Sequence, residues 1–527
     1  MTVHTTAQPP CWKPWPITVT LALVFALLFI PAAAPLANAQ CDPPERHYLE
    51  APDAYDGDGL GYAVDIDQTL ALAGAPFDDD FGDDSGSAYL FDAVSGQFVH
   101  KLLADDGSVF AWFGMSVAIG SGRAMVGAPT EAGGGINRGS VYVFDGTTGS
   151  QLHKLNAQDG QDSDYFGISL AADGTTAIIG AVGDDDLGDG CGSAYLFDIV
   201  SGDQLFKLLP DDGAADDDFG ISVAISGNRA IVGSHYDDDN GDKSGSAYLF
   251  DAATGDQLAK LLPDDGAEDD WFGHRVAISG DTAIVTAPRH VDSGYAYGAA
   301  YIFSTVDGSQ LHKLQIPPRE NYLQFGVSVA TDGSMAMIGA HESDYYGTEG
   351  EVHLFDVATG AHFGLIDQGW MDQFGHTVAC EGSTMMVGAY NGGYYVGSAH
   401  IYDPCPTVGA RFTCLPATGT VPFSTHMTAT LRSYVPGQTR RIAGRLLATL
   451  ANGTSFGSWR AGFTNVPSTG TYVASWNQGI PALMSVVGEN RFELFVEDIT
   501  PAPYNQPPWL PSGDTDTAVC TVTGMHP

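Results

Sequence analysis

Three stretches of the chain place carboxylates in one repeated arrangement, Asp-x-Asp-x-Gly-Asp: Asp78, Asp80 and Asp83; Asp184, Asp186 and Asp189; Asp237, Asp239 and Asp242. Several hard oxygen donors on a glycine-punctuated loop are what Ca²⁺ needs, because it takes six to eight oxygens and tolerates irregular geometry. Calcium is therefore the one cofactor these residues suggest. The competing reading is a solvated acidic rim in which the aspartates form turns by accepting hydrogen bonds from their own backbone. Other chemistry lacks its residues. The sequence contains no His-Glu-x-x-His or paired Cys-x-x-Cys for zinc, no Gly-x-Ser-x-Gly elbow and no phosphate loop. His274 and His376 each follow a Phe-Gly pair and His341 follows Gly339-Ala340; isolated histidines of this kind read as surface or packing residues, so no catalytic residue is nominated.

The elements that must position these carboxylates follow from a repeat. Phe-Gly pairs begin at Phe113, Phe166, Phe219, Phe272, Phe325 and Phe374, with a degenerate first copy at Leu60-Gly61, and their glycines are spaced by 53, 53, 53, 53, 53 and 49 residues. There are thus seven copies. In the fourth, Ile221–Ile225 and Arg229–Gly233 read as strands split by a tight turn. An acidic loop, a third strand Ser246–Phe250, a Thr254-Gly255 turn and a fourth strand Gln257–Leu261 complete it. Seven tandem units of four strands specify a β-propeller, each unit one antiparallel blade. The turns between strands 1 and 2 and between strands 3 and 4 then lie at one end of every blade. The 2-to-3 and 4-to-1 connections lie at the other, so the Asp-rich loops, Asp211–Asp218 and Asp264–Asp270 among them, share one face.

The register also predicts how the ring closes. Arg46–Leu49 aligns with the fourth strand of the other copies but precedes the first, while the last copy stops after Ser398–Tyr402. One blade is completed from both ends of the chain, which leaves no open edge. Cys41 and Cys405 both map onto the turn position of Ala253, so a Cys41–Cys405 disulfide is expected to staple that broken hairpin, with a chain-entropy effect of roughly 5 kcal/mol for so long a loop. Cys414 and Cys520 bracket the C-terminal region and are expected to pair. Cys380 falls at a first-strand core position, and Cys191 lies unpaired in a loop.

Phe-Gly followed by Gly-Ala-Pro, as at Gly74-Ala75-Pro76 and Gly127-Ala128-Pro129, resembles the FG-GAP repeat of integrin α-subunit propellers. The Gly-Ser-Ala-Tyr-Leu-Phe-Asp strands are more similar still to its bacterial secreted relatives. The resemblance covers residues 41 to 405 and implies the propeller fold more specifically than any function. Integrin-type repeats carry a long calcium loop between strands 1 and 2, where this chain has only turns such as Ser226-Gly227-Asn228 and Ser279-Gly280-Asp281, so that site is not carried over. Asp83-Asp84-Ser85-Gly86-Ser87 and Asp242-Lys243-Ser244-Gly245-Ser246 match the Asp-x-Ser-x-Ser metal motif of adhesion domains; that motif belongs before a helix, and here it reads as the entry to strand 3.

Composition changes after Cys405. Residues 407–527 hold seven Arg and six acidic residues, whereas residues 40–406 hold 13 basic and 58 acidic ones, so the chain's net −43 rests on the propeller. Such a balance excludes nucleic-acid binding, which depends on Lys and Arg to neutralise phosphate. Alternating runs at Arg445–Leu450, Thr471–Ala474 and Phe492–Val496 suggest an Ig-like β-sandwich. At the other end, the apolar run Ile17–Ile30, Pro31 and Ala37-Asn38-Ala39 read as a signal peptide cleaved before Gln40. A lipoprotein with Cys41 acylated is the weaker alternative, because Gln40 stands where a small residue is wanted. Leu415–Gly419 matches a sortase string, but no apolar tail follows it and the match reads as chance.

The expected fold class is therefore all-β: residues 1–39 a signal peptide, residues 40–405 a seven-bladed propeller and residues 406–527 an Ig-like sandwich. The expected function is a secreted, extracellular or cell-surface binding and adhesion module, non-catalytic and monomeric, with no transmembrane segment in the mature chain. Its partner would be a protein or carbohydrate of a cell surface or matrix, held at the acidic loop face with calcium assisting. The alternative is a secreted hydrolase or lyase using the same face.

Overall fold

The structure, a computed structural model, describes residues 43–403 apart from 133–135, 293–294, 297, 317–322, 343–349, 369–372 and 391–395, and beyond 403 the backbone of strands between 411 and 524. Seven four-stranded antiparallel sheets follow one another between residues 45 and 402. Blade 4 is representative: Ser222–Ser226, Arg229–Ser234, Ser246–Asp251 and Gln257–Leu261, paired in that order. These bounds agree with the sequence reading to within a residue or two. A bulge recurs in the 3–4 hairpin, between Leu249 and Phe250 in blade 4, and adds to the local twist.

Strands 2 and 3 are buried along nearly their whole length, since neighbouring blades cover both faces of each sheet. This is why they read as continuous apolar runs rather than alternating ones. The repeat phenylalanines Phe113, Phe166, Phe219, Phe272, Phe325 and Phe374 are all fully buried. Phe113, for example, stands edge-on to Tyr142 and Phe144 of its own blade and packs with Leu72 and Leu90 of the blade before. Paired glycines let the inner ends of the blades meet. A Cβ on Gly233 would lie 2.0 Å from the Gly273 carbonyl oxygen of the next blade, and one on Gly388 would lie 2.1 Å from that of Gly61. On the outer strands, His47, His100, His153 and His312 each bond a turn carbonyl of the following blade.

The ring closes as the register requires. Strand Glu45–Leu49 pairs antiparallel with Ser398–Tyr402 in a sheet whose other strands are Thr384–Ala389 and Phe374–Glu381. Asp403 N–H donates to the Pro44 carbonyl at 3.0 Å, and Arg46 pairs with Asp403. Among the described residues there is no helix, hence none long and apolar enough to cross a membrane. The proposed leader, residues 1–39, lies outside them, as do Cys41 and Cys405.

Beyond the propeller the backbone forms two antiparallel sheets. Arg411–Cys414, Ser424–Arg432 and Thr471–Gly479 pair in that order. Ser455–Val466, Arg440–Thr449, Gly488–Asp498 and Thr515–Gly524 form the second. The three runs read from sequence lie within these strands, apart from Leu450. Cys414 is on the first strand of this region and Cys520 on the last, with their side chains outside the description.

Candidate functional site

The Asp-rich loops do lie together, but their acids surround a lysine. In blade 3 the Lys207 ammonium lies 2.7 Å from Asp184, 2.7 Å from Asp186 and 2.8 Å from Asp159 of the incoming 4-to-1 loop. Tyr195 of strand 3 donates its hydroxyl to Asp184 at 2.9 Å and its ring underlies the ammonium at 5.4 Å. Blade 4 repeats this with Lys260 at 2.9 Å from Asp237, 2.6 Å from Asp239 and 2.9 Å from Asp212. Blade 1 repeats it with Lys101 at 3.0 Å from Asp78, 2.6 Å from Asp80 and 2.8 Å from Asp53. Burial opposes the charge on these lysines, yet the carboxylates outweigh it and hold all three ammonium groups above their ordinary value. Each cage ties strands 3 and 4, the 2-to-3 loop and the 4-to-1 loop into one charged cluster.

Of each predicted triad, the first aspartate is buried and the second joins the cage from its surface. The third, Asp83, Asp189 or Asp242, is exposed and stays outside; the Asp83 carbonyl accepts from Phe110 N–H, Asp189's from Asp216 and Asp242's from Asp269. One oxygen each from Asp159, Asp184 and Asp186 lie within 4.8 Å of one another, a span a cation could bridge, and Lys207 already supplies the cation there. The donor set does not fit Ca²⁺ while lysine stands among it. The Asp-x-Ser-x-Ser strings are strand entries, with Ser87 and Ser246 opening strand 3.

Two blades vary the cage in register. Blade 2 has Glu131 in place of the first aspartate, 3.2 Å from Lys154, which also meets Asp106 at 2.7 Å. Blade 5 has His290: its Nε2 accepts from Lys313 at 2.8 Å, so Nδ1 carries the proton and donates to Asp270 at 2.9 Å. The lysines escaped a reading that counted only acids, although Lys101, Lys154, Lys207, Lys260 and Lys313 recur at the 53-residue period that the glycines set. A second set of aspartates, Asp58, Asp164 and Asp217, is buried in the 4-to-1 loops, where each accepts a backbone N–H. Burial pushes each of them up to about 6.

At the inner ends of the same loops, aromatic and histidine side chains gather around the central channel. His376, Tyr62 and Tyr390 form one cluster, with ring centroids 4.8–5.4 Å apart. His235, Tyr236, Trp271 and His274 of blades 4 and 5 form another. Lys243 lies 4.6 Å over the Tyr236 ring and Arg289 lies 4.3 Å over the Trp271 ring. Arg275, at the start of strand 1 in blade 5, donates Nη1–H to the His274 carbonyl at 2.8 Å. Its charge is felt by Tyr62 of blade 1, a blade not adjacent to blade 5, so both side chains face the channel. His274 and His376 thus belong to the channel rather than to the outer surface; the His341 side chain is outside the described residues. At the channel's opposite end, burial and the charges of Asp67, Asp173 and Asp332 push Glu381 up.

The FG-GAP repeat family matches residues 45–91, 97–144, 150–197, 203–250 and 256–303. Each window runs from one blade's outer strand through the next blade's strand 3. The propeller is an FG-GAP repeat propeller. No curated protein matches the sequence. Among solved structures, hydrazine synthase from Kuenenia stuttgartiensis is similar over 64% of this chain and 95% of that one, with 12% identity and a TM-score of 0.45. The FG-GAP match stops at blade 5, while blades 6 and 7 complete the ring with the same four-strand order. In the FG-GAP signature the Phe fills the inter-blade core and the two glycines permit the inter-blade approach, so the motif is structural. An FG-GAP propeller of this kind is a binding or structural module. Cys191 is buried with its thiol pushed up to about 12 by burial, and Cys380 packs at the edge of a core cluster. Both are free, as expected from sequence.

Proposed function

We propose that this protein is a secreted, non-catalytic binding module that engages its ligand on the loop face of the FG-GAP propeller. The observation that carries the reading is the lysine cage. It pins both classes of loop on that face, in blades 1 to 5, to the body of the propeller. A surface fixed in this way binds without an ordering cost. The cages also spend the acidic triads on internal cations, so calcium is not needed to hold these loops. The C-terminal strand orders, first-second-fifth and fourth-third-sixth-seventh, support an Ig-like sandwich serving as a spacer or attachment domain. Chain ends meeting at Pro44 and Asp403 support the Cys41–Cys405 staple, and Cys414 and Cys520 on the first and last C-terminal strands support a second one.

The test is a screen of the full chain against glycans and cell-surface extracts, run beside one for product formation. Saturable binding lost when loop-face residues are substituted is the expected result. Turnover abolished by such a substitution would establish the hydrolase or lyase reading instead.

A further inference from the structure

The loop face is acidic, yet several of its few cations gather at the channel mouth of blades 4 and 5, where the nearest carboxylates are Asp218, 3.9 Å from His235 Nε2, and Asp269, 3.8 Å from Arg289. Of the 13 Lys and Arg residues between 40 and 406, five are cage lysines, and three of the rest, Lys243, Arg275 and Arg289, converge on this one spot. Among the described residues Arg275 has no carboxylate partner and donates one side-chain hydrogen bond, to the His274 carbonyl. A half-buried guanidinium with most of its donors uncommitted is a ready fork for a carboxylate. Beside it, His235 is 6% exposed, and its Nδ1 and the buried Trp271 Nε1 have no hydrogen-bond partner. Buried polar atoms of this kind mark a place where a partner is missing. Burial, then the charges of Arg275 and Lys243, hold His235 down to about 3, so it is neutral and can donate one N–H to an anion without adding charge.

These residues depart from the repeat's own pattern. At the Arg275 position, blades 2, 3 and 6 have Ser116, Ser169 and Ser328, each donating its hydroxyl to the Phe-Gly glycine carbonyl of the next blade. Blade 5 gives up that bond for a guanidinium in the channel. Gly-Ala-Pro becomes Gly233-Ser234-His235 in blade 4. Blade 5 also has Thr286 where blades 2, 3 and 6 have Gly127, Gly180 and Gly339; a Cβ on those glycines would lie 2.2–2.3 Å from the serine hydroxyl, so Thr286 displaces a serine from position 275 without calling for a guanidinium there. Tyr236 and Trp271 stand edge-on 5.6 Å apart at the spot, each with a cation over its ring, Lys243 and Arg289, so aromatic surface and positive charge come together there.

Resting on the binding reading above, we propose that the channel mouth formed by His235, Tyr236, Lys243, Trp271, Arg275 and Arg289 binds a carboxylated sugar of a glycan chain. Arg275 takes the carboxylate, with an N–H of His235 or Trp271 beside it, and the Tyr236–Trp271 pair with its two cations borders the sugar ring and its hydroxyls. Titration calorimetry of the full chain with oligogalacturonate, with the neutral oligosaccharide of the same length and with acetate tests this. Oligogalacturonate should bind, the neutral chain at least about tenfold more weakly, and acetate weakest, since it lacks the ring. Arg275→Met and His235→Phe should each weaken oligogalacturonate at least about tenfold, while Arg229→Met, at a half-buried residue paired with Asp251 at the opposite end of the blade, should not. Unshifted melting midpoints confirm that the variants fold, and His235→Phe keeps the test open if Arg275→Met does not. Equal affinity for the charged and neutral chains, no binding of either, or binding indifferent to both substitutions overturns the proposal. Acetate matching oligogalacturonate overturns the sugar and leaves a bare carboxylate site. Cell-surface binding that survives both substitutions keeps the module reading while this site falls.

Discussion

Replacing Lys207 with methionine removes the cation of the blade 3 cage while keeping the stem that lies along Tyr195. Only Asp184 is then stranded, because its side chain is 5% exposed whereas those of Asp159 and Asp186 are 47% and 45% exposed and can turn to water. Removing one partner of a buried pair costs about 3–5 kcal/mol, and the two exposed contacts contribute at most about 1 kcal/mol each. Tyr195 still donates to Asp184, so the lower end, about 3 kcal/mol, is expected. A propeller spanning residues 45 to 402 melts with an entropy near 0.75 kcal/mol per degree, at about 2.1 cal/mol/K per residue. The midpoint should therefore fall by roughly 4 °C. Scanning calorimetry reads it directly, and Lys207→Met with Asp184→Asn should recover most of the loss. The vacated cage leaves three carboxylates within reach of one cation, so Ca²⁺ should stabilise Lys207→Met by about 2.7 kcal/mol at a hundred times its Kd, a midpoint rise of roughly 4 °C. The wild-type midpoint should ignore both calcium and chelator. A wild type that melts lower in chelator, or a Lys207→Met variant that melts like wild type, would refute the reasoning.

Other expectations follow from the same geometry. Asp58, Asp164 and Asp217 are held near 6 in the fold against an ordinary 3.8; their contribution to stability is full below 3.8 and is lost as pH rises to about 6. Asp53, Asp106, Asp159 and Asp265, where lysine partners outweigh burial, are lowered and act in the opposite sense. Their stabilisation disappears in stronger acid, so the two sets cross near the ordinary carboxylate value and melts should place the stability maximum at about pH 4, with a decline towards neutrality. Gly388→Ala drives a Cβ to 2.1 Å from the Gly61 carbonyl at the ring closure and should cost about 3 kcal/mol, read by denaturant unfolding. Peptide mapping without reductant should recover Cys41 joined to Cys405; finding Cys41 unpaired in folded protein counts against the staple. The association rate for oligogalacturonate should rise with salt, because screening weakens the long-range repulsion of a −43 chain more than a half-buried contact; a rate that falls would place the contact on an exposed patch.

Much of this fold is legible because a propeller repeats its constraints. The glycines of Phe-Gly and Gly-Ala-Pro mark the inter-blade approach, and seven copies at a constant period average away local ambiguity. Closure by Arg46–Leu49 follows from register alone. The acidic loops were legible as a location but not as a chemistry, because Asp184 and Lys207 are 23 residues apart and meet only through the pairing of strands 3 and 4. Composition records the acid and misses the cage. The channel mouth was harder still. His235 and Arg275 stand in different blades, and a lone histidine in sequence does not reveal that its Nδ1 is buried without a partner.

In a ring of similar blades the structural demands on equivalent positions are similar, so departures from the pattern divide into those the ring requires and those it does not. Blades 6 and 7 lose the Tyr–Lys pair: His353 and Leu365 stand there in blade 6, His400 and Tyr48 in blade 7. Blade 7 has a reason, since its outer strand comes from the other end of the chain and Glu45 bonds His400. Blades 4 and 5 lie away from that seam and keep their cage lysines, Lys260 and Lys313. Their departures at His235 and Arg275 therefore carry no closing function. They also run against the electrostatics, since a guanidinium with no carboxylate partner among the described residues is kept in a channel although carboxylates abound on the same face. An acidic neighbour would neutralise Arg275 and stabilise the fold. Its absence is intelligible if the missing carboxylate arrives on the ligand.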